Sequence, residues 1–220
     1  MKTEKGGAGG TRPSPGVRST LNRPYICAVA LALIDANGLG NFSMRKLGAG
    51  LGVDPMAVYR HFTDQEELFD GIAEALFDEL DVDSLPWDGS WRAVAEQYCH
   101  RLRDTLLRHP HAVSVFATRP VRSPSSIDTG VRIIELLQAG GFTPTRALQI
   151  ARCLREFTIG HALSLAVVRL GSQSRSRKPA PESPDYNILA RAADDTEIDE
   201  HFDIGLTALL DGFELLIRPA

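Results

Sequence analysis

Ser43-Met44-Arg45-Lys46-Leu47-Gly48-Ala49-Gly50-Leu51-Gly52-Val53-Asp54-Pro55-Met56-Ala57-Val58-Tyr59-Arg60-His61-Phe62 reads as two short helices joined by a tight turn. Ser43 is a good N-cap, because its hydroxyl oxygen can accept from an orphan N–H of the first turn. Phe42 and Leu47 stand at the two positions of a hydrophobic staple. Gly52 permits a tight turn, and Val53 is its apolar plug. Asp54 caps the next helix. Pro55 takes the first helical position, where its missing N–H would be unpaired anyway. This second helix is expected over Pro55–His61. Thr63-Asp64-Gln65-Glu66 has the capping-box pattern and opens a further helix.

Working outward, a helix is expected before this unit, from about Leu21 to Ala36. Tyr25, Ile26, Val29, Ala30, Leu33 and Ile34 share one face at helical spacing, and Asn37-Gly38 ends it. After the unit, Leu68, Ile72, Leu76 and Leu80 mark the buried face of a fourth helix, with Phe69, Ala73 and Phe77 beside them. Ser84 to Ser90, with Pro86 and Gly89, reads as a hinge. Everything beyond reads as helix: Trp91 to Arg108 with Trp91, Val94, Tyr98 and Leu102 inward, then His111 to Ala117, then Ser126 to Ala139 stopped by Gly140-Gly141. A long helix follows from Thr143-Pro144 to about Leu170, and a last one from His201 to Ile217. No strand pattern and no internal repeat is present. The expected class is all-α: an N-terminal three-helix helix-turn-helix domain over 21–82 and a larger helical domain over 83–220. Residues 1–20 read as a disordered arm, and 171–185, rich in Ser, Arg and Pro, as a mobile loop.

The chain of 220 residues carries a net charge of −4, which by itself argues against nucleic acid. The charge is split, however. Residues 1–65 hold eight basic and four acidic side chains, and the remainder 16 and 24. A basic module on an acidic body is an electrostatic footprint for DNA. A hydrophobic fraction of 43% supports a packed core. No apolar run reaches the roughly 18 residues of a membrane span, and residues 1–20 lack the apolar stretch of a secretory signal. The expected place is the cytoplasm, on the nucleoid when bound to DNA. Cys27, Cys99 and Cys153 are odd in number and set in apolar helical patterns, so buried reduced thiols are expected rather than a disulfide framework or zinc site.

A helix-turn-helix works by bracing one helix with another, so that the second enters the major groove tip first. Ser43, Met44 and Arg45 open the bracing helix. Pro55, Met56, Ala57, Tyr59, Arg60 and His61 lie on the entering one. Tyr59, Arg60, His61 and Arg45 suit phosphate and base contacts. Pro55 and Met56 offer little hydrogen bonding, so apolar contact with thymine methyls is expected there. An ordinary helical hairpin with a solvated face would give the same spacing.

Further residues separate the two. Ser43 to Leu47, Leu51-Gly52-Val53, Val58 to Phe62 and Glu67-Leu68 resemble the DNA-binding domain of the tetracycline repressor family. Ser90-Trp91, Leu106-Leu107-Arg108-His109, Thr118-Arg119-Pro120 and Phe157-Thr158-Ile159-Gly160 continue the likeness to the family's drug-binding domain, over about 21–217. The resemblance implies a ligand-responsive transcriptional repressor that binds double-stranded operator DNA as a homodimer. The dimer would pair two C-terminal helices from each subunit, here about Pro144–Leu170 and His201–Ile217. The last helix agrees independently, being too apolar all round for a monomer surface.

In the drug-binding members, a His before Thr-Arg-Pro ligates a divalent metal, and a Glu beyond Phe-Thr-x-Gly helps to hold it. Here the first run is Val113 to Ala117, one residue shorter and without His, and the Glu position falls on Ser164. Two drug-contacting positions, a His and an Asn, fall on Asp81 and Tyr98. Val, Phe and Ser cannot replace oxygen and imidazole ligands, so no metal or other cofactor is expected. What remains is an apolar cavity for a small, largely apolar effector, with Tyr98, Phe116, Leu137, Phe157, His161 and Ser164 as candidate lining. Plain core packing is the competing reading for each. His109-Pro110-His111 reads as a helix-end pair, not a metal site. Two other functions stay open. A regulator without a small-molecule effector would have a closed interior. A helical enzyme would need a phosphate loop, nucleophile elbow or His-Glu metal pair, and none is present, so none is expected.

Overall fold

The computed structural model describes residues 21–119, 122–171 and 200–217. The arm expected over 1–20 and nearly all of the loop expected over 171–185 lie outside them. The described residues form nine α-helices and no strand. Four come first: α1 (Arg23–Asn37), α2 (Met44–Leu51), α3 (Pro55–Val58) and α4 (Gln65–Asp78). α5 (Trp91–Arg108), α6 (Val113–Thr118), α7 (Pro124–Ala139), α8 (Pro144–Arg169) and α9 (Glu200–Glu214) follow.

The caps behave as their chemistry requires. Ser43 accepts from the Lys46 N–H and Asp54 from the Met56 N–H. Gly52 is left-handed at φ 68°, a conformation that only glycine adopts without strain. Gly48 is needed for closeness: a Cβ there would stand 3.0 Å from Pro55, so the two helices could not approach as they do.

Several expectations are corrected. α3 is α-helical only over Pro55–Val58, and 59–61 continue as a turn. The helix opening at Thr63 is capped one residue later, by Asp64, which accepts from the Glu67 N–H at 2.8 Å. The buried stripe of α1 is Ile26, Cys27, Ala30, Leu31 and Ile34, while Tyr25 is exposed and Val29 and Leu33 are half-buried. The last helix stops at Glu214, and α7 begins at Pro124. Cys27 and Cys99 are buried, and burial pushes their thiols up to about 11 and about 12. Cys153 is only half-buried.

The stretch expected to be a hinge is anchored. The Trp87 indole donates to the Val82 carbonyl at 2.9 Å. Arg101 reaches the carbonyls of Asp81 and Ser84 and the Ser84 hydroxyl. One buried cluster runs from Ile26, Leu47 and Phe62 through Leu68, Ile72 and Leu76 of α4 to Val94, Phe116 and Leu165. Each such side chain contributes about 1.5–3 kcal/mol when fully buried. α4 is therefore shared property: it packs on α1 on one side and on α5, α6 and α7 on the other.

His109 adds a polar tie to this junction. Its Nδ1 lies 2.7 Å from the Asp35 carboxylate on α1, and its Nε2 lies 3.0 Å from Glu79, the residue that caps α4. The helix-end histidine thus joins three elements.

Candidate functional site

Two features stand out: a polar tip on α2 and α3, and a cavity among the helices beyond α4. At the tip, Met56 is 66% exposed and Tyr59 41%. Arg45 and Arg60 are exposed as well, and Pro55, Ala57, Ser43 and His61 are half-buried. Met44 is the exception. Its side chain is buried at 7% exposure, so it belongs to the core and can offer a partner only its backbone. Ser43 spends its hydroxyl on the α2 cap. The side chains presented outward are thus Arg45, Met56, Tyr59 and Arg60.

The tip is held by a residue outside the motif. Arg23 of α1 donates to the His61 carbonyl and to the Glu67 carboxylate at 2.7 Å, and lies 4.2 Å above the Phe62 ring. Glu67 also accepts from the N–H and the hydroxyl of Thr63, at 2.6 and 2.7 Å. The Thr63 backbone bond, the Thr63 hydroxyl and Arg23 together hold the Glu67 carboxyl down at about 2, against the usual 4.5. A carboxyl depressed on folding stabilises above its unfolded value and loses that contribution as pH falls through the folded one. The melting temperature of the wild type is therefore expected to fall more steeply than that of Glu67→Gln between pH 4.5 and about 2. Equal slopes in a calorimetric pH series would disprove the tie.

The cavity has a volume of about 910 Å³ and is bordered by α4, α5, α6, α7 and α8. Its walls are mainly apolar, with Phe77, Trp91, Phe116 and Ile134 among them. Polar groups are few: Tyr98, Thr118, Ser126, Thr129 and Gln138, with Arg119, Arg152, Arg155 and Glu135 as charges. Burial pushes the Tyr98 phenol up to about 12, so it stays a neutral hydrogen-bond donor. Arg119 donates to the Glu66 carbonyl at 3.0 Å, to the Glu66 carboxylate, and to Asp70 at 2.7 Å. It thus grips the first turns of α4 from the cavity wall.

Of the six residues expected to line an effector site, Tyr98, Phe116 and Leu137 face this cavity. Phe157, His161 and Ser164 do not. Phe157 stacks on Phe202 of α9 at 5.4 Å between ring centroids. His161, 9% exposed, lies 4.8 Å from the same ring. Ser164 is exposed. All three sit on the side of α8 turned from the cavity. The sequence reading missed Phe77 and Arg119 as wall residues, and Arg152 and Arg155 on α8. The Thr118-Arg119 motif was the one available signal. Among the described residues no group of three His, Cys, Asp or Glu side chains stands together to hold a metal ion, and no helix is long and apolar enough to cross a membrane.

Comparison with known proteins gives concordant matches at both ends. Residues 26–72 match the family "Bacterial regulatory proteins, tetR family". Residues 85–217 match "Tetracyclin repressor-like, C-terminal domain". The chain is 30% identical to the HTH-type transcriptional repressor DrrR1 of Streptomyces coeruleorubidus, over 94% of this chain and 83% of that one. It is 29% identical to the class G tetracycline repressor of Vibrio anguillarum, over 89% and 95%. Among solved structures, a TetR variant of Acinetobacter baumannii AYE in complex with minocycline superposes with a TM-score of 0.76 at 26% identity, covering 91% of this chain and 96% of that one. The chain belongs to the tetracycline repressor family of bacterial regulatory proteins, and its all-helical fold is that of a DNA-binding transcriptional regulator.

Proposed function

We propose that this chain is a repressor that leaves its operator when a small aromatic molecule enters the cavity between α4 and α8. The observation that carries the reading is the position of α4. Its N-terminal end holds the turn after α3, and its body forms one wall of the cavity through Phe77. A cavity of about 910 Å³ favours an effector over regulation without one, and the minocycline complex of a relative supports the same choice. In this reading the cavity binds and does not catalyse, and the protein acts in the cytoplasm.

Arg45, Met56, Tyr59 and Arg60 meet the operator, with Pro55, Ala57 and His61 behind them. Ser43 and Met44 contribute through the N-terminus of α2, whose backbone N–H groups suit a phosphate. Two copies act together. Leu163 and Val167 of α8, with Leu170 just beyond its end, form an exposed apolar stripe, and Ile204 of α9 is 70% exposed. Pairing α8 and α9 with those of a second copy would cover these side chains. The direct test is fluorescence anisotropy with operator DNA in a screen of aromatic compounds. A compound that occupies the cavity and lowers DNA affinity by about 5- to 150-fold is expected. Occupancy of the cavity without any change in DNA affinity, across the screen, would overturn the reading.

Tetracycline with magnesium is not the expected effector. Val115 and Phe116 are buried apolar side chains, and Ser164 has no carboxylate. Titration calorimetry should show no tight binding. Micromolar affinity that requires the metal would contradict this.

A further inference from the structure

The positive charge of the cavity wall that no carboxylate neutralises lies on α8. Arg152 and Arg155 both line it. They are three residues apart and so share a face of the helix. Arg155 stands 5.4 Å above the Phe116 ring, within cation–π range, and its charge acts on the Tyr98 hydroxyl. The other wall arginine, Arg119, is neutralised by Glu66 and Asp70. No such partner is found for this pair: among the described residues neither Arg152 nor Arg155 is in an ion pair, including with Glu135 across the cavity.

We infer that the effector is an aromatic acid, whose ring body fills the apolar part of the cavity and whose anionic group is held by Arg152 and Arg155 with the Tyr98 hydroxyl. This rests on the proposal above that the cavity is the effector site. The physical case is one of complementarity. A guanidinium beside an apolar wall keeps its charge, because arginine does not deprotonate. A carboxylate, sulfonate or phenolate arriving on a flat ring would exchange water for charge-assisted hydrogen bonds, which are about twice as strong as neutral ones. Ile133 and Ile134, lining the cavity and only partly buried, supply apolar surface for the ring itself.

The test uses two dyes with one body. 8-Anilinonaphthalene-1-sulfonate carries an anionic group, and N-phenyl-1-naphthylamine carries none. Fluorescence titration of the full chain is expected to show the sulfonate binding about tenfold tighter than the neutral dye. Arg155→Gln and Arg152→Gln should each remove most of that preference and leave the neutral dye unchanged. Both side chains reach solvent, so neither variant threatens the fold. Ala95→Trp, which fills the cavity from α5, should abolish binding of both dyes and so place them. Equal affinities on the wild type would overturn the inference, as would a preference that survives both glutamine variants, or sulfonate binding that survives Ala95→Trp. Dye binding is read without DNA. Failure here therefore leaves the repressor reading intact, and charge-selective binding supports the inference even if neither dye releases the operator.

Discussion

Arg45→Ala combined with Tyr59→Ala is expected to weaken operator binding by about tenfold or more, with secondary structure and self-association unchanged. A well-placed Arg contact to a base edge carries about 1–3 kcal/mol of discrimination, and a phosphate contact adds uniform affinity instead. Both side chains are exposed and neither belongs to the buried cluster, so their removal costs the fold little. Salt separates the two roles. If Arg45 meets a phosphate, its loss lowers the slope of log affinity against log salt by about one; if it meets a guanine, the slope holds and specificity relaxes. Met56→Ala should act differently again, losing discrimination at a thymine without changing the salt slope. Anisotropy titrations at several salt concentrations measure all three. Wild-type affinity in the double variant would show that α2 and α3 do not form the reading surface.

The tip could be read in the sequence because its signals are local. Ser43, Gly52, Asp54 and Pro55 each act on a backbone group within a few residues, so their chemistry fixes where α2 starts and stops and where α3 starts; the end of α3 has no such signal and falls at Val58 instead of His61. Where two neighbouring residues are equally competent, local chemistry does not choose. Thr63 and Asp64 can both cap, and Glu66 and Glu67 both follow. Arg23, 44 residues from Glu67 in the chain, selects the later register. α1 is apolar on two adjoining sectors, and docking against α2 and α4 decides that Cys27 and Leu31 go inward instead of Tyr25. The cavity was the least legible part for the same reason. Arg155 and Phe157 are two residues apart, about 200° around the helix, so one faces the cavity and the other α9. Which side of α8 meets which neighbour is set by contacts far along the chain, and periodicity carries no record of them.

Arg119→Gln is expected to leave DNA affinity without effector within about threefold of wild type and to remove most of the effector response, a coupling of about 1–3 kcal/mol. Two cavity wall residues hold α4. Arg119 grips Glu66 and Asp70 near its start, and Phe77 is buried near its end. The two handles are roughly 10–16 Å apart at the helical rise. A ligand that displaces one handle more than the other therefore tilts the helix. The start of α4 carries Glu67, and through it Arg23 and the turn after α3. A tilt moves the reading tip without any ligand contact with DNA. Removing the Arg119 grip cuts the shorter of the two routes. Phe77→Leu shortens the other handle while keeping an apolar side chain in the core. It should reduce the response with a stability loss of about 1–1.5 kcal/mol, where Phe77→Ala would cost about 3–5 kcal/mol and blur the result. The effector must prefer the tilted state, because equal affinity for both states would shift nothing. The measurement is DNA affinity with and without an effector that releases the wild type, together with effector affinity in the absence of DNA. If Arg119→Gln binds effector normally and still releases DNA to the full extent, the grip on Glu66 and Asp70 plays no part in signalling. Coupling would then have to pass through Phe77 alone.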